Sequence, residues 1–312
     1  MSFSSNVKEE ITRYELNSIK EKKAMLSSLA RINGTMSMHE KNLVLEIRSE
    51  NAKIAKLLFI LIKELYNHDA RILVAKKMKL KKNNVYLVQI KSNGLEILED
   101  LEIYHNGKLD NNPGKEIFRN QHQMKAYVMG CFLASGSVND PVSKHYHLEI
   151  SLHSEKHAEF VVKLMSKFEL NPKVIKRRNI YVVYLKKSEE IADFLRLINA
   201  NACVMDFEEE RINKDYWNSN NRLNICELSN EVKTLQSANK QLEFIEKIYQ
   251  HSKEYMLDAK DKQIVDIRRE NPEANLQEIA DIYNEKYGTN ISKSGINHRL
   301  RKIKEIANNI ED

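Results

Sequence analysis

Apolar positions recur at helical spacing near the end of the chain. Ile296, Leu300 and Ile303 fall at i, i+4 and i+7, so a helix over 291–304 carries them on one face. Lys293, Asn297, Arg301 and Lys304 share a second face of the same helix, and no carboxylate occurs between Lys286 and Lys304. Upstream, Leu276, Ile279, Ala280 and Tyr283 form another helical stripe. Asn275 is placed to cap it, with Glu278 three residues on as the partner of a capping box. A helix over 262–269 precedes it and is stopped by Asn271-Pro272. Three helices ending in a basic one outline a helix-turn-helix, whose last helix enters the major groove. The connection over 284–291 is longer than the tightest such turns, and Gly288 offers a point of reversal.

The first two hundred residues carry a different pattern, and they carry it twice. Alternating segments over 43–48 and 145–152 predict strands, and both contain Leu-Glu-Ile, at Leu45 and Leu148. Each is followed by an amphipathic helix (51–66, 155–168), two further strands (70–77 and 85–90, 171–178 and 180–185) and a helix (94–101, 188–198). A constant offset of 103 residues marks an internal duplication. Each copy opens on a helix of small residues, over 24–34 and 126–136. Small side chains let two helices approach closely. Gly34 and Gly136 are expected to end them in the left-handed conformation. Two such helices at a pseudo-twofold axis, each feeding a small sheet, would make a saddle.

Composition narrows the class. The chain has 312 residues, 42% apolar and 30% charged, enough for two or three globular domains. The net charge of +6 is modest, so local basic patches matter more than the total. Cys131, Cys203 and Cys226 are scattered and odd in number, which implies neither a disulfide framework nor a zinc site. The sequence after Met1 runs straight into charged residues, and the most apolar run (55–65) is too short to span a bilayer. A cytoplasmic, nucleoid-associated protein without membrane contact is expected. His145, His147, His153 and His157 imitate a metal site but read as structural or surface residues, and Trp217 reads as a packing anchor. The acidic run Asp206, Glu208, Glu209 and Glu210, followed by Arg211, reads as a solvated helix face paired with nearby cations. No phosphate loop or nucleophile motif is present, so no enzyme activity, cofactor, metal or small-molecule ligand is expected.

The stretch 127–136, Tyr-Val-Met-Gly-Cys-Phe-Leu-Ala-Ser-Gly, resembles the LAGLIDADG helix of homing endonucleases, and 28–34 resembles its first copy. The resemblance implies two αββαββα repeats forming a pseudo-twofold saddle over duplex DNA, with metal-binding acids just before the final Gly of each motif. Asn33 and Ser135 stand at those two places, and neither can supply the charge that holds a divalent cation for hydrolysis. Over nearly its whole length the chain resembles the WhiA family of bacterial regulators, associated with sporulation and cell division. Residues 291–302 carry the resemblance most specifically, supported by 221–224 and by Lys233, Thr234, Ala238 and Gln241.

The fold class expected is therefore α+β: a degenerate endonuclease-like domain over 1–200 (repeats about 20–103 and 122–200), a helical linker over 201–257, and an all-α helix-turn-helix over 258–312. The function implied is a sequence-directed, DNA-binding transcription regulator without nuclease activity. The rivals are a general chromosome- or partner-binding scaffold and a residual Mg²⁺-dependent nuclease. The partners implied are double-stranded DNA and other transcription regulators. Asn297 suits adenine and Arg301 guanine. Lys293 and Ser294 lie at the start of the helix, and either Ser292 or Ser294 caps it or meets a phosphate. His298, Arg299, Lys302 and Lys304 suit phosphates, Arg299 equally an internal ion pair. Gly295 permits either close approach to phosphate or packing inside the domain. Lys76, Lys77, Lys79, Lys81 and Lys82, with Lys176, Arg177 and Arg178 in the second repeat, form a candidate second DNA surface. The alternative there is a solvated strand edge bearing cations against edge pairing.

Overall fold

Two helices rich in small residues pack against each other at the centre of the first unit. They are α2 (Ile19–Asn33) and α5 (Gln121–Ser135), and the closeness of their approach is set at Gly130. A Cβ there would lie 1.9 Å from Ser28 Oγ and 2.7 Å from the Met25 carbonyl oxygen. Gly34 and Gly136 act differently from the expectation. Their φ angles are −79° and −73°, so neither is left-handed. Each instead leads the chain from its helix directly into a strand, β1 (Gly34–His39) or β7 (Gly136–Val138).

The computed structural model describes residues 2–39, 42–68, 70–76, 84–91, 93–105, 107–110, 113–114 and 119–310. After β1 the first repeat continues through β2 (Asn42–Ser49), α3 (Ala52–Tyr66), β3 (Ala70–Lys76), β4 (Asn84–Ile90) and α4 (Gly94–Asp100). After β7 the second continues through β8 (Leu148–Leu152), α6 (Glu155–Ser166), β9 (Lys173–Arg177), β10 (Ile180–Leu185) and α7 (Ser188–Leu197). A small hairpin, β5 (Tyr104–His105) and β6 (Lys108–Leu109), lies between the repeats. The two sheets have the same antiparallel order, β1-β2-β4-β3 and β7-β8-β10-β9. The duplication read along the chain is thus a duplication of topology.

Strand alternation decides what each sheet buries. Leu45, Ile47, Val88 and Ile90 pack beneath the first sheet with Ile54, Leu58 and Ile62 of α3, and Leu148, Ile150, Leu152, Val183 and Leu185 do the same in the second with α6. An additional helix, α1 (Phe3–Ile11), buries Phe3, Val7 and Ile11 against this core. Its Glu10 carboxylate accepts hydrogen bonds from Ala202 N (2.7 Å) and Cys203 N (3.0 Å), which satisfies free donors at the start of α8 (Asn201–Gln250).

His157 of α6 is buried and shares a 2.8 Å hydrogen bond with the Tyr127 hydroxyl. Burial pushes its pKa down to about 3, helped by the Arg31 charge. The unfolded chain takes up this proton near pH 6.5 and the folded chain does not, so stability is lost as the pH falls from 6.5 towards 3, by about 1.4 kcal/mol per pH unit. Urea unfolding at pH 7 and pH 5 is expected to show a loss of about 2 kcal/mol that is missing in His157→Gln. An equal loss in the variant would assign the pH dependence to other groups.

The chain divides into two compact units, 1–214 and 215–312. The residues expected to form a linker mostly belong to α8, whose ends are core elements. Cys203, Val204 and Phe207 are buried in the first unit, Ile245 and Ile248 in the second. Among the acids at its start, Glu208 pairs with Arg196 and Arg211. Trp217, expected as a packing anchor, is 64% exposed on α8 and touches the neighbouring Tyr216 ring. The second unit is completed by α9 (Ala259–Glu270), α10 (Leu276–Tyr287) and α11 (Lys293–Asn308). No helix among the described residues is long and apolar enough to cross a membrane.

Candidate nucleic-acid interface

The helices α9, α10 and α11 each start on a side-chain cap. Asp258 accepts from Asp261 N at 2.8 Å. Asn275 and Glu278 form the full capping box expected for α10. Ser292 caps α11, accepting from Gly295 N at 3.2 Å, and its hydroxyl also meets that of Ser294 at 2.8 Å. The buried Arg268 donates to the Ala274 carbonyl at 2.6 Å and ties the end of α9 to the start of α10.

The turn before α11 is shorter than expected, because α10 continues to Tyr287. Gly288 reverses the chain at φ 60°. Asn284 then holds the turn from inside. Its amide donates to the Ile291 carbonyl at 2.9 Å, and its carbonyl oxygen accepts from Ile291 N at 2.6 Å and from the Thr289 hydroxyl at 3.3 Å. Gly295 packs locally: a Cβ there would lie 2.8 Å from Ile291 Cγ1.

Ile296, Leu300, Ile303 and Ala307 bury one face of α11 against α9 and α10. Burial of each of the large apolar side chains contributes about 1.5–3 kcal/mol. This orientation sorts the cations of α11 into two groups. Arg299 and Lys302 turn to the start of α9. Arg299 meets Asp261 at 2.7 Å and Asp258 at 3.2 Å, and Lys302 meets Asp261 at 2.7 Å and Asp258 at 3.0 Å. Lys302, expected on phosphate, and Arg299, expected equally on phosphate or in an internal ion pair, are thereby held by acids of their own unit. The Asp258 carboxyl is held well below the usual carboxylate range, first by the Asp261 amide and then by Lys302. Lys293 and Arg301, on the other face, make no ion pair among the described residues, and Lys304 lies 5.8 Å from the centre of the Phe244 ring. Asn297 is half-buried between them, and His298 is exposed.

Asp261 is fully buried, so Asp261→Asn leaves two cations without their nearest counter-charge. A loss of about 3 kcal/mol in the second unit is expected. Hydrogen exchange of the α9 and α11 core amides should quicken about 100-fold. Unchanged exchange would mean that solvent carries these charges as well as Asp261 does.

In the first unit, the two positions before the motif glycines hold no carboxylate. Asn33 Nδ2 donates to the Ala134 carbonyl at 3.1 Å, across the pair of motif helices, while Ser135 Oγ is buried without a partner among the described residues. Asn33 also lines a cavity of about 940 Å³ with Lys8, Arg48, Glu50 and Tyr86. Lys8 is pushed down to about 8 by burial, against the raising influence of Glu50. Sequence reasoning missed Lys8, although Phe3, Val7 and Ile11 announce its helix at i, i+4 and i+8.

The basic strands do not present one uniform surface. Lys176 pairs in register with Tyr181 and Arg177 with Ile180, so the two cations point to opposite faces. Lys176 lies over the Tyr181 ring at 5.4 Å, and Arg177 pairs with Glu149 at 3.2 Å. Arg178 sits at the hairpin tip with φ 55°. Lys76 ends β3, and Lys77, Lys79, Lys81 and Lys82 lie outside the described residues. His147 bonds to Glu149 at 3.0 Å, and no group of three or more metal-binding side chains occurs among the described residues.

A duplicated αββαββα unit of LAGLIDADG type and a capped helix-turn-helix with a free polar-cationic face define a DNA-binding regulator. Family models for the WhiA N-terminal LAGLIDADG-like domain, the WhiA LAGLIDADG-like domain and the WhiA C-terminal HTH domain match residues 20–104, 124–217 and 220–307. The chain is 43% identical to the probable cell division protein WhiA of Enterococcus faecalis, covering 100% of this chain and 99% of that one. It is 41% identical to the Staphylococcus carnosus protein of the same name, covering 99% and 98%. The crystal structure of full-length DUF199/WhiA from Thermatoga maritima shares the fold, with a TM-score of 0.60 and 22% identity over the whole of both chains. The chain belongs to the WhiA family.

Proposed function

We propose that this protein is a sequence-directed transcription regulator that acts in cell division, reads duplex DNA through α11, and has no nuclease activity. The observation that carries the reading is the division of the α11 cations. Asp258 and Asp261 neutralise Arg299 and Lys302, whereas Lys293, Asn297 and Arg301 are left on the other flank of α11, away from those acids. Asn and Arg at that face suit the donor and acceptor pattern of adenine and guanine edges. Phosphate contacts from Lys293, His298 and Lys304 would fix the register. A role in cell division follows the name carried by the relatives. Loss of cleavage is supported by the donor set of the saddle: Asn33 and Ser135 bring no charge, and the Lys8 ammonium in the cavity beside Asn33 opposes a divalent cation. Other regulators and the nucleoid are the partners and location this role implies.

The test is to sequence the genomic fragments retained by the full chain at about 150 mM salt, where nonspecific phosphate binding is weakened. A short motif shared by the retained fragments is expected. Uniform coverage of the chromosome would replace this reading with that of a general chromosome-binding scaffold.

A further inference from the structure

The second unit contains a further cationic surface, on α8. Arg222, Lys233, Ser237 and Lys240 are spaced by eleven, four and three residues, so they lie along one face of the helix. Cys226, Ser229 and Phe244 complete that face, and the exposed Glu243 borders it one turn after Lys240. Glu227 and Glu231 fall on the other side. Arg222, Lys233 and Lys240 are exposed and make no ion pair among the described residues. At 1.5 Å per residue the three cations span about 27 Å.

This face is continuous with the DNA face of α11. Lys233, Ser237 and Lys240 form one wall of a groove of about 350 Å³, and Asn297, Arg301 and Lys304 form the other. A second groove, of about 340 Å³, adjoins it at Lys233 and reaches Asn275 at the start of α10 and Lys293 at the start of α11. Neither groove has an acidic residue in its lining, in a chain with 44 carboxylate side chains. Two helix walls bearing Lys233, Lys240, Lys293, Arg301 and Lys304 present a long, open cationic channel rather than a closed pocket, so a small anion would meet only part of it. A chain of phosphates matches both its length and its charge.

We infer that α8 is a second DNA-contacting element, in which Lys233 and Lys240 hold the sugar-phosphate backbone at the edge of the groove that α11 enters, and Arg222 extends the contact along the duplex. This rests on the reading that α11 docks on DNA. A phosphate contact carries no base preference, and each one released lowers the slope of log K against log salt by about 0.9.

Binding of the full chain to a retained genomic motif and to a scrambled duplex should be measured across salt, for the wild type, Lys233→Ala/Lys240→Ala, Lys233→Arg/Lys240→Arg and Arg301→Ala. The paired alanine variant is expected to weaken both duplexes equally, by about 10-fold or more at physiological salt, and to lower the slope by about 2. The paired arginine variant should restore both. All three positions face solvent or the groove, and unchanged melting curves would confirm that the variants are folded. An unchanged slope and affinity in the paired alanine variant, with discrimination lost in Arg301→Ala, would overturn the role of α8 alone. Tighter binding by the paired alanine variant would overturn it too, showing that α8 competes with DNA for α11. A wild type that does not separate the two duplexes would overturn the underlying reading of α11.

Discussion

Gly130→Val is expected to destabilise the first unit by about 3 kcal/mol or more, the largest stability effect anticipated for a single substitution in this protein. Gly130 lies where α2 and α5 cross, and even a methyl group there meets the Met25 carbonyl oxygen at 2.7 Å. The Ser28 hydroxyl, 1.9 Å from the same point, could turn aside, but it would lose its 2.9 Å bond to the Met25 carbonyl. Met25 lies on the backbone of the opposing helix and cannot move by itself. Separating the helices would also loosen Met25, Leu29, Tyr127 and Phe132, all buried at this centre. Relief from the helix penalty of glycine is only about 1 kcal/mol and does not offset the clash. The measurement is urea unfolding of the full chain, with near-native stability in Gly130→Val as the contrary outcome.

The second large effect separates recognition from stability within one helix. Arg301→Ala should lower discrimination between the retained motif and a scrambled duplex by about 10-fold to 100-fold, the value of one bidentate base contact, with no change in melting temperature. Arg299→Ala should do the reverse. It removes the 2.7 Å bond to buried Asp261, so the second unit should lose stability while the discrimination ratio is kept. Paired calorimetry and binding titrations resolve the two. A loss of discrimination in both variants with unchanged melting would mean that the α9 acids release Arg299 to DNA.

The parts of this fold legible in the sequence are those written in local spacing. The capping box at Asn275 and Glu278, the buried stripe of α11 and the duplicated order of elements follow from neighbours three, four or two residues apart. Asn33 and Ser135 were recognisable by resemblance, whereas the amide bond from Asn33 to Ala134 spans 101 residues and was not. The same holds for Arg299 and Lys302, whose acids lie about forty residues upstream. The expectation of left-handed glycines at Gly34 and Gly136 concealed β1 and β7, because a helix that passes straight into a strand needs no reversal. Lys176 and Arg177 show the opposite case: alternation along a strand already implied that adjacent cations face apart. Trp217 was misread because an apolar side chain on an amphipathic helix does not state whether another element covers it.

The most direct test of the central claim is the ratio of affinities for a retained genomic motif and its scrambled duplex, measured at one physiological salt concentration for the full chain and for Asn297→Ala/Arg301→Ala. Reading by α11 predicts a ratio of at least about 1,000 for the wild type, falling towards one in the double variant while nonspecific affinity persists. A ratio near one for the wild type, or an equal ratio in the two proteins, would contradict it.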